Sequence, residues 1–265
     1  GYVGAMNYAS LQELQMVNNT LIPSYLDISY ASFASLLPHA GKELDINLFL
    51  AHREVEILQV KANVELASHT YSHYYCLEEG QTIEDFENDV RMAKENAIKQ
   101  GVNLVSIIFP RNQVNDDYLT ICRKYGFTHF RGMLNSFLYK PSKTPFRYSP
   151  MGALRFLDTY LNISGNNTYT IEDTKSKELI DVPGSRFFRP YSRKLSFLEG
   201  LKIRRIKQSM TDAAKNGRIY HLWWHPHNFG TYMQENLSLL EEICRHFDYL
   251  KKTYNLKSSF ISEIR

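Results

Sequence analysis

The hydrophobic positions of this chain follow two periodicities in turn, which predict alternating strands and helices. The clearest helix is predicted over 82–100, because apolar residues recur there every three to four positions and Thr82 offers an N-cap with Asp85 three residues later. Gly101 ends it. Further helices are predicted at 6–20, 33–37, 55–60, 116–125, 196–216 and 235–254, and strands at 21–27, 46–50, from 64, and at 104–109, 128–131 and 218–224.

This alternation runs from residue 21 to 131 and favours a parallel sheet with βαβ connections, the α/β class. Residues 132–190 break the rhythm. They are rich in Pro, Ser, Asn and aromatic residues and predict a long irregular insertion, of the kind that often forms a lid or binding loop. The length of 265 residues fits one large α/β domain, and we expect a single domain over 1–265 that carries this insertion.

Composition narrows the function classes. The net charge is +3 and the basic residues are dispersed, which argues against nucleic acid as a partner. No apolar run approaches the ~20 residues of a membrane-spanning helix. The three cysteines (Cys76, Cys122 and Cys244) are widely spaced and favour a reducing compartment. With no signal peptide in the sequence, the cytoplasm is expected; an extracytoplasmic location stays open if the N-terminus was trimmed. The sequence leaves the oligomeric state open.

The chemistry-bearing feature of the chain is a pair of histidines. The apolar run that starts at Val64 ends in His69 and His73, and a helix beginning there would present both imidazoles on one face, close enough to share a metal ion. Imidazole suits zinc, cobalt, nickel or iron. A second cluster follows another predicted strand, at 221–227. The alternative is a pair of ordinary surface histidines, since two ligands do not make a site.

The run His69-Thr70-Tyr71-Ser72-His73 is similar to the His-Ser/Thr-x-x-His motif of the polysaccharide deacetylase family, the metal-dependent carbohydrate esterases. The chain also resembles that family in element order over nearly its whole length. The resemblance implies a distorted (β/α) barrel of mostly parallel strands and a divalent transition metal, zinc first. It also implies hydrolysis of N- or O-acetyl groups on a bacterial surface polysaccharide or its precursor.

The family's first motif, Thr-Phe-Asp-Asp-Gly, has its nearest counterpart at 24–30. The resemblance then implies that Asp27 completes the metal site with His69 and His73 and belongs to the catalytic group. Leu26 stands where the family has its catalytic base, and the glycine is absent. Either another group, such as His227 or Glu65, replaces the base, or the metal site acts alone on an activated ester. The different-class alternative is a weak or inactive relative that binds carbohydrate.

The remaining motifs match the family less closely. Leu222-Trp223-Trp224-His225 resembles its last motif, which implies that His225 is the catalytic acid, with His227 as its competitor. Substrate contacts are expected from Pro110 and Arg111, a variant of the third motif, and from Tyr71 and Trp224 by stacking on sugar rings. The alternatives are a solvated arginine and core aromatics. A relative that hydrolyses a small amide is a further hypothesis, and it predicts a closed pocket.

Overall fold

The computed structural model describes residues 23–31, 52–133, 136–139, 150–176 and 178–265. The chain is of mixed α/β class with parallel strands, as predicted. The helices predicted at 6–20 and 33–37, the strand at 46–50 and the first two residues of the strand at 21–27 lie outside the described residues. Two compact units are present. The first unit comprises 1–132, 176–181 and 260–264, and the second unit comprises 133–175, 182–259 and Arg265.

Parallel strands organise the first unit. Its described helices are α1 (His52–Gln59), α2 (Ile83–Lys99) and α3 (Asp116–Lys124), and its strands are β1 (Ser106–Ile108), β2 (His129–Arg131) and β3 (Ile180–Asp181). The strand order is β1-β2-β3, with both pairs parallel. The strand predicted from 64 is reduced to one parallel bridge, between Ser68 and Ile107. The carboxyl ends of these parallel segments therefore lie at one edge of the sheet.

Helix α2 forms where the sequence predicts it. The Asp85 amide donates to Thr82 Oγ1 at 3.1 Å and the Thr82 amide donates to Asp85 Oδ2 at 3.2 Å, which confirms the capping box. Its apolar stripe is buried in the core of the first unit, where Phe86 stacks on Tyr118 with ring centroids 4.3 Å apart. Each such fully buried large side chain stabilises the fold by about 1.5–3 kcal/mol.

The segment 23–31 does not form the strand predicted over 21–27. Its backbone bonds to a turn instead, where the Leu26 amide donates to the Glu79 carbonyl at 2.9 Å. The next residue of that turn, Gly80, has φ 91°, and a Cβ there would lie 2.5 Å from the Leu26 nitrogen. Glycine is therefore required at position 80 both for its backbone conformation and for the close approach.

The second unit contains the remaining described helices and strands: α4 (Pro150–Asp158), β4 (Arg186–Phe187), α5 (Glu199–Asn216), β5 (Leu222–Trp223) and α6 (Met233–Tyr254). Strands β4 and β5 pair in parallel, and α5 packs on α6 through apolar side chains that include Ile203, Ile206 and Ile243.

The segment predicted as irregular, 132–190, contains α4, β3 and β4, so it is more regular than its composition suggests. The predicted strand 218–224 shortens to two residues, because Ile219 pairs in an antiparallel bridge with Tyr169 instead. The five described strands do not close into a barrel. In the described part of the chain, no helix combines the length and apolar character needed to cross a membrane.

Candidate functional site

The candidate site of the first unit is the loop His69–His73, and it is not helical. A helix does not bring the two imidazoles together; a turn does, with Thr70 and His73 in the left-handed region at φ 64° and 59°. The ring centroids of His69 and His73 lie 4.8 Å apart. The two rings are therefore neighbours, and they are the pair of side chains in this loop that could offer nitrogens to one ion. For β-branched Thr70 a positive φ is a true outlier.

Asp89 of α2 holds this loop in place. Its carboxylate is buried and accepts from the Tyr71 amide at 2.7 Å, from the Ser72 amide at 2.8 Å and from the Ser72 hydroxyl. Burial raises the pKa of Asp89 to about 6, although these donors oppose the shift. Thr70 Oγ1 adds a second restraint by accepting from the Tyr74 amide at 2.6 Å. Strained backbone persists only where the surroundings over-determine it, and here they do.

Both imidazoles lie in surroundings that suit a metal ligand. His69 Nδ1 lies 2.7 Å from the Ile108 carbonyl oxygen, and because a carbonyl can only accept, Nδ1 carries the proton and Nε2 is the nitrogen left to bind a ligand. Histidines that bind metals typically donate their other ring N–H in this way. Burial, together with the neighbouring His69, lowers the pKa of His73 to about 3. Both rings therefore fit a divalent transition metal.

An aromatic wall and an arginine flank the histidines. The ring of Tyr75 lies 5.1 Å from that of His73, edge to face, and the Arg111 guanidinium lies 4.3 Å above the Tyr75 ring centroid. Arg111 also pairs with Glu78 at 3.3 Å. Arg111 and Asn112 have φ 53° and 54°, so four of the seven non-glycine residues with positive φ in the described chain belong to these two loops. Such clustering is typical of functional sites.

Two further polar side chains lie at the carboxyl edge of the same sheet. At the end of β2, Arg131 donates to Asn112 Oδ1 at 3.0 Å, which links it to the Arg111 turn. Asp181, at the end of β3, accepts from the Gly132 amide at 2.8 Å, and burial raises the pKa of its carboxyl to about 6. In open parallel sheets, ligands bind at this edge.

Asp27 lies on the exposed surface of the first unit, where it caps the 3₁₀ turn Ile28–Tyr30. Its Oδ1 accepts from the Ser29 amide at 3.0 Å, and the hydrogen bonds from Ser29 lower its pKa. Across the described ranges, no group of three or more His, Cys, Asp and Glu side chains is placed to hold a metal ion. His69 and His73 lie side by side, and the metal site that they are predicted to form with Asp27 stays a prediction.

The other predicted substrate contacts in the first unit differ in exposure. Pro110 is buried and opens the 3₁₀ turn that carries Arg111, whereas the Arg111 side chain is about half exposed, at 51%. Tyr71 is buried, with 2% of its surface exposed, so its ring belongs to the interior of the first unit. Glu65, one candidate replacement for the base, accepts from the Ser106 hydroxyl and from the Ser262 amide.

The predicted acid, His225, lies in the second unit together with His227. Both are exposed, and their rings stack with centroids 5.2 Å apart. His225 also contacts Phe187 at 5.6 Å between ring centroids. Partial desolvation lowers the pKa of His227. Trp224 stacks on Phe229 at 5.8 Å and is half-buried in the apolar cluster of the second unit, which limits the area it can offer to a sugar.

Sequence reasoning missed the group on which the site depends most, Asp89. Its signal was present: an acidic residue stands within the apolar stripe of α2, between Phe86 and Ala93. A carboxylate on a buried helix face needs several hydrogen-bond donors, so a partner loop rich in backbone amides was to be expected. Arg131 was also missed as a member of this edge, because the strand that brings it there is only three residues long.

Replacing Asp89 by asparagine should lower the free energy of unfolding by about 2 kcal/mol, since the amide can accept from fewer of the three donors and its own NH₂ needs a partner. Urea denaturation measures this. Glu84→Gln is the matched control, because it removes an exposed charge from the same helix and should change stability by less than about 0.5 kcal/mol. Equal effects of the two substitutions would contradict the role given to Asp89.

The chain was also compared with known proteins, and neither a protein-family model nor a curated protein matches it.

Proposed function

We propose that the protein is a metal-dependent hydrolase that removes N- or O-acetyl groups from a bacterial surface polysaccharide or its precursor. The observation that carries the proposal is the His69–His73 loop, whose strained backbone, fixed by buried Asp89, presents two imidazoles with ring centroids 4.8 Å apart. The choice of reaction, hydrolysis of acetyl groups, rests on the sequence resemblance to polysaccharide deacetylases. A complete distorted (β/α) barrel is part of this proposal, and the parallel strands of both units support it.

In this mechanism His69 and His73 hold the metal, with Asp27 as the third proposed ligand. A bound divalent metal acts as a Lewis acid on the acetyl carbonyl and activates water. The Ile108 carbonyl keeps His69 in the tautomer that ligates. Arg111, stacked on Tyr75, contacts the sugar beside the acetyl group. His225, or His227 in its place, protonates the leaving amine or alkoxide, a role that comes from the sequence alone.

Metal analysis of the purified protein tests the first step. The wild type should bind about one equivalent of zinc, cobalt, nickel or iron, and His69→Ala and His73→Ala should lose it, because a transition metal needs at least three protein ligands for tight binding. His225→Ala is the matched control: it should keep the metal and reduce acetyl release by ~10²–10⁴-fold. A wild type that takes up no metal even after reconstitution would overturn the hydrolase proposal.

The second candidate function is carbohydrate binding without turnover. It is favoured by Leu26, whose apolar side chain is 79% exposed where the family has its base. Leu26→Asp separates the two. If the rest of the site is competent, acetyl release from acetylated oligosaccharides should rise by ~10²–10⁴-fold, the usual contribution of a general base. Unchanged turnover with metal and oligosaccharide both bound would support the binding protein instead.

A further inference from the structure

A cluster of buried charged side chains lies in the second unit, and the proposed hydrolase does not use it. Asp158, at the end of α4, is 0% exposed. Its Oδ2 lies 3.3 Å from Arg186 Nη1 and its Oδ1 lies 3.2 Å from Arg205 Nη2. The side chains of Arg186 and Arg205 are 4% and 2% exposed, so all three charged groups are withdrawn from water.

The charges of this cluster do not balance. Two guanidinium groups share one carboxylate, and Asp158 is the only carboxylate that pairs with either arginine in the described chain. The rest of the second unit, at 134–135 and 140–149, contains no Asp or Glu. The phenols of Tyr139 and Tyr220 also lie beside the two arginines, but burial raises the pKa of both, that of Tyr220 to about 12, so they stay neutral. One buried positive charge is left over.

The cluster also has more buried hydrogen-bond donors than acceptors. Asp158 is saturated: it also accepts from the Tyr139 hydroxyl at 2.7 Å, and from the amide and hydroxyl of Ser164 at 2.7 and 2.8 Å. Meanwhile Arg186 Nε and Nη2 and Arg205 Nη1 are buried, and among the described residues no acceptor lies in hydrogen-bond geometry to them. The neighbouring Tyr220 hydroxyl, which interacts with Arg186, is buried without such a partner as well. Each unsatisfied buried donor destabilises a fold, more so when it is charged.

We propose that the second unit binds a small monovalent inorganic anion, chloride or an ion like it, between the guanidinium groups of Arg186 and Arg205. Such an ion meets both needs at once, since it accepts the orphaned N–H groups and cancels the surplus charge. Ordered water would accept the same hydrogen bonds but would leave the buried positive charge uncompensated. The ion is a structural ligand of the second unit, and its binding is independent of the proposed hydrolase site.

Thermal unfolding at constant ionic strength tests the proposal, with sodium chloride replaced stepwise by sodium gluconate, whose anion is too large for a buried site. The melting temperature of the wild type should rise by several degrees with chloride, because a ligand that binds only the folded state stabilises it in proportion to the logarithm of its concentration. A melting temperature that does not respond to chloride would overturn the proposal.

Two variants distinguish the site from a general salt effect. Arg186→Met keeps an unbranched apolar stem in place of the arginine stem and removes the guanidinium charge, so the chloride response should disappear. Arg204→Met removes an exposed arginine next to Arg205 on α5, and the response should persist. An equal chloride response in the wild type and in folded Arg186→Met would overturn the proposal.

If Arg186→Met does not fold, an experiment on the wild type alone still tests the proposal. Crystals grown in sodium bromide should show an anomalous peak between the guanidinium groups of Arg186 and Arg205, since bromide replaces chloride at similar size. Density there without an anomalous signal would identify water and overturn the assignment.

Discussion

Replacing Asp158 by alanine should lower the free energy of unfolding by about 3–5 kcal/mol, measured by urea denaturation. The carboxylate is fully buried between Arg186 and Arg205, and its removal takes away the one side-chain carboxylate that pairs with these two guanidinium groups in the described chain. The Tyr139 hydroxyl and the Ser164 amide and hydroxyl lose their acceptor at the same time. Few single substitutions in a folded chain combine these losses.

The control for this prediction is Asp173→Ala, in the same unit. Asp173 is exposed and accepts from the Thr170 amide at 2.7 Å, so its loss should cost about 1 kcal/mol. A triple substitution gives a sharper comparison, Asp158→Leu with Arg186→Met and Arg205→Met, because it removes all three charges together. It should recover much of the loss, as apolar replacement of a buried charged group often does. A loss below about 1 kcal/mol in Asp158→Ala would contradict the buried cluster.

Acid should destabilise the metal-free protein through His73. The native state holds this imidazole neutral, with a pKa of about 3, whereas the unfolded chain protonates it near 6.5. Between these values the unfolded state binds more protons, so the free energy of unfolding falls as pH falls from 6.5 towards 3. The loss attributable to His73 should reach about 2 kcal/mol at pH 5 and about 4–5 kcal/mol at pH 3.

Other groups titrate over the same range, so the contribution of His73 must be isolated. The carboxyls of Asp89 and Asp181 have raised pKa values of about 6 and act in the opposite direction between pH 4 and 6. The difference in stability between wild type and His73→Gln, followed against pH with a chelator present, removes these shared effects. His225→Gln, which alters an exposed histidine, should keep the slope of the wild type. An unchanged slope in His73→Gln would refute a neutral imidazole at His73 in the native state.

The sequence predicted those parts of the fold that local interactions decide. Helix α2 was predictable because its capping box and its apolar stripe both lie within 19 residues. The strands were placed approximately but came out shorter, since pairing depends on neighbours far away in the chain. The segment 23–27 was read as a strand, yet its backbone bonds to the turn at 79–80, more than 50 residues later.

The candidate site was predictable in its residues and not in its backbone. The spacing of His69 and His73 pointed to a shared face, but the left-handed turn that joins them depends on Asp89, which comes 16 residues after His73. The sequence did not predict that Asp158 pairs with Arg186 and Arg205. These arginines come 28 and 47 residues later, and nothing local separates them from the many solvated arginines of the chain.

The left-handed backbone at Thr70, His73, Arg111 and Asn112 also bears on how this chain can be evolved in the laboratory. Glycine adopts that conformation without strain, so a selection for heat resistance alone should accumulate glycines in these two loops, each relieving about 1 kcal/mol. The same substitutions would loosen the loops and remove the side chains that line the site. Glycine at these positions therefore favours thermostability, whereas the present side chains favour ligand binding. A screen for thermostable variants has to measure both properties.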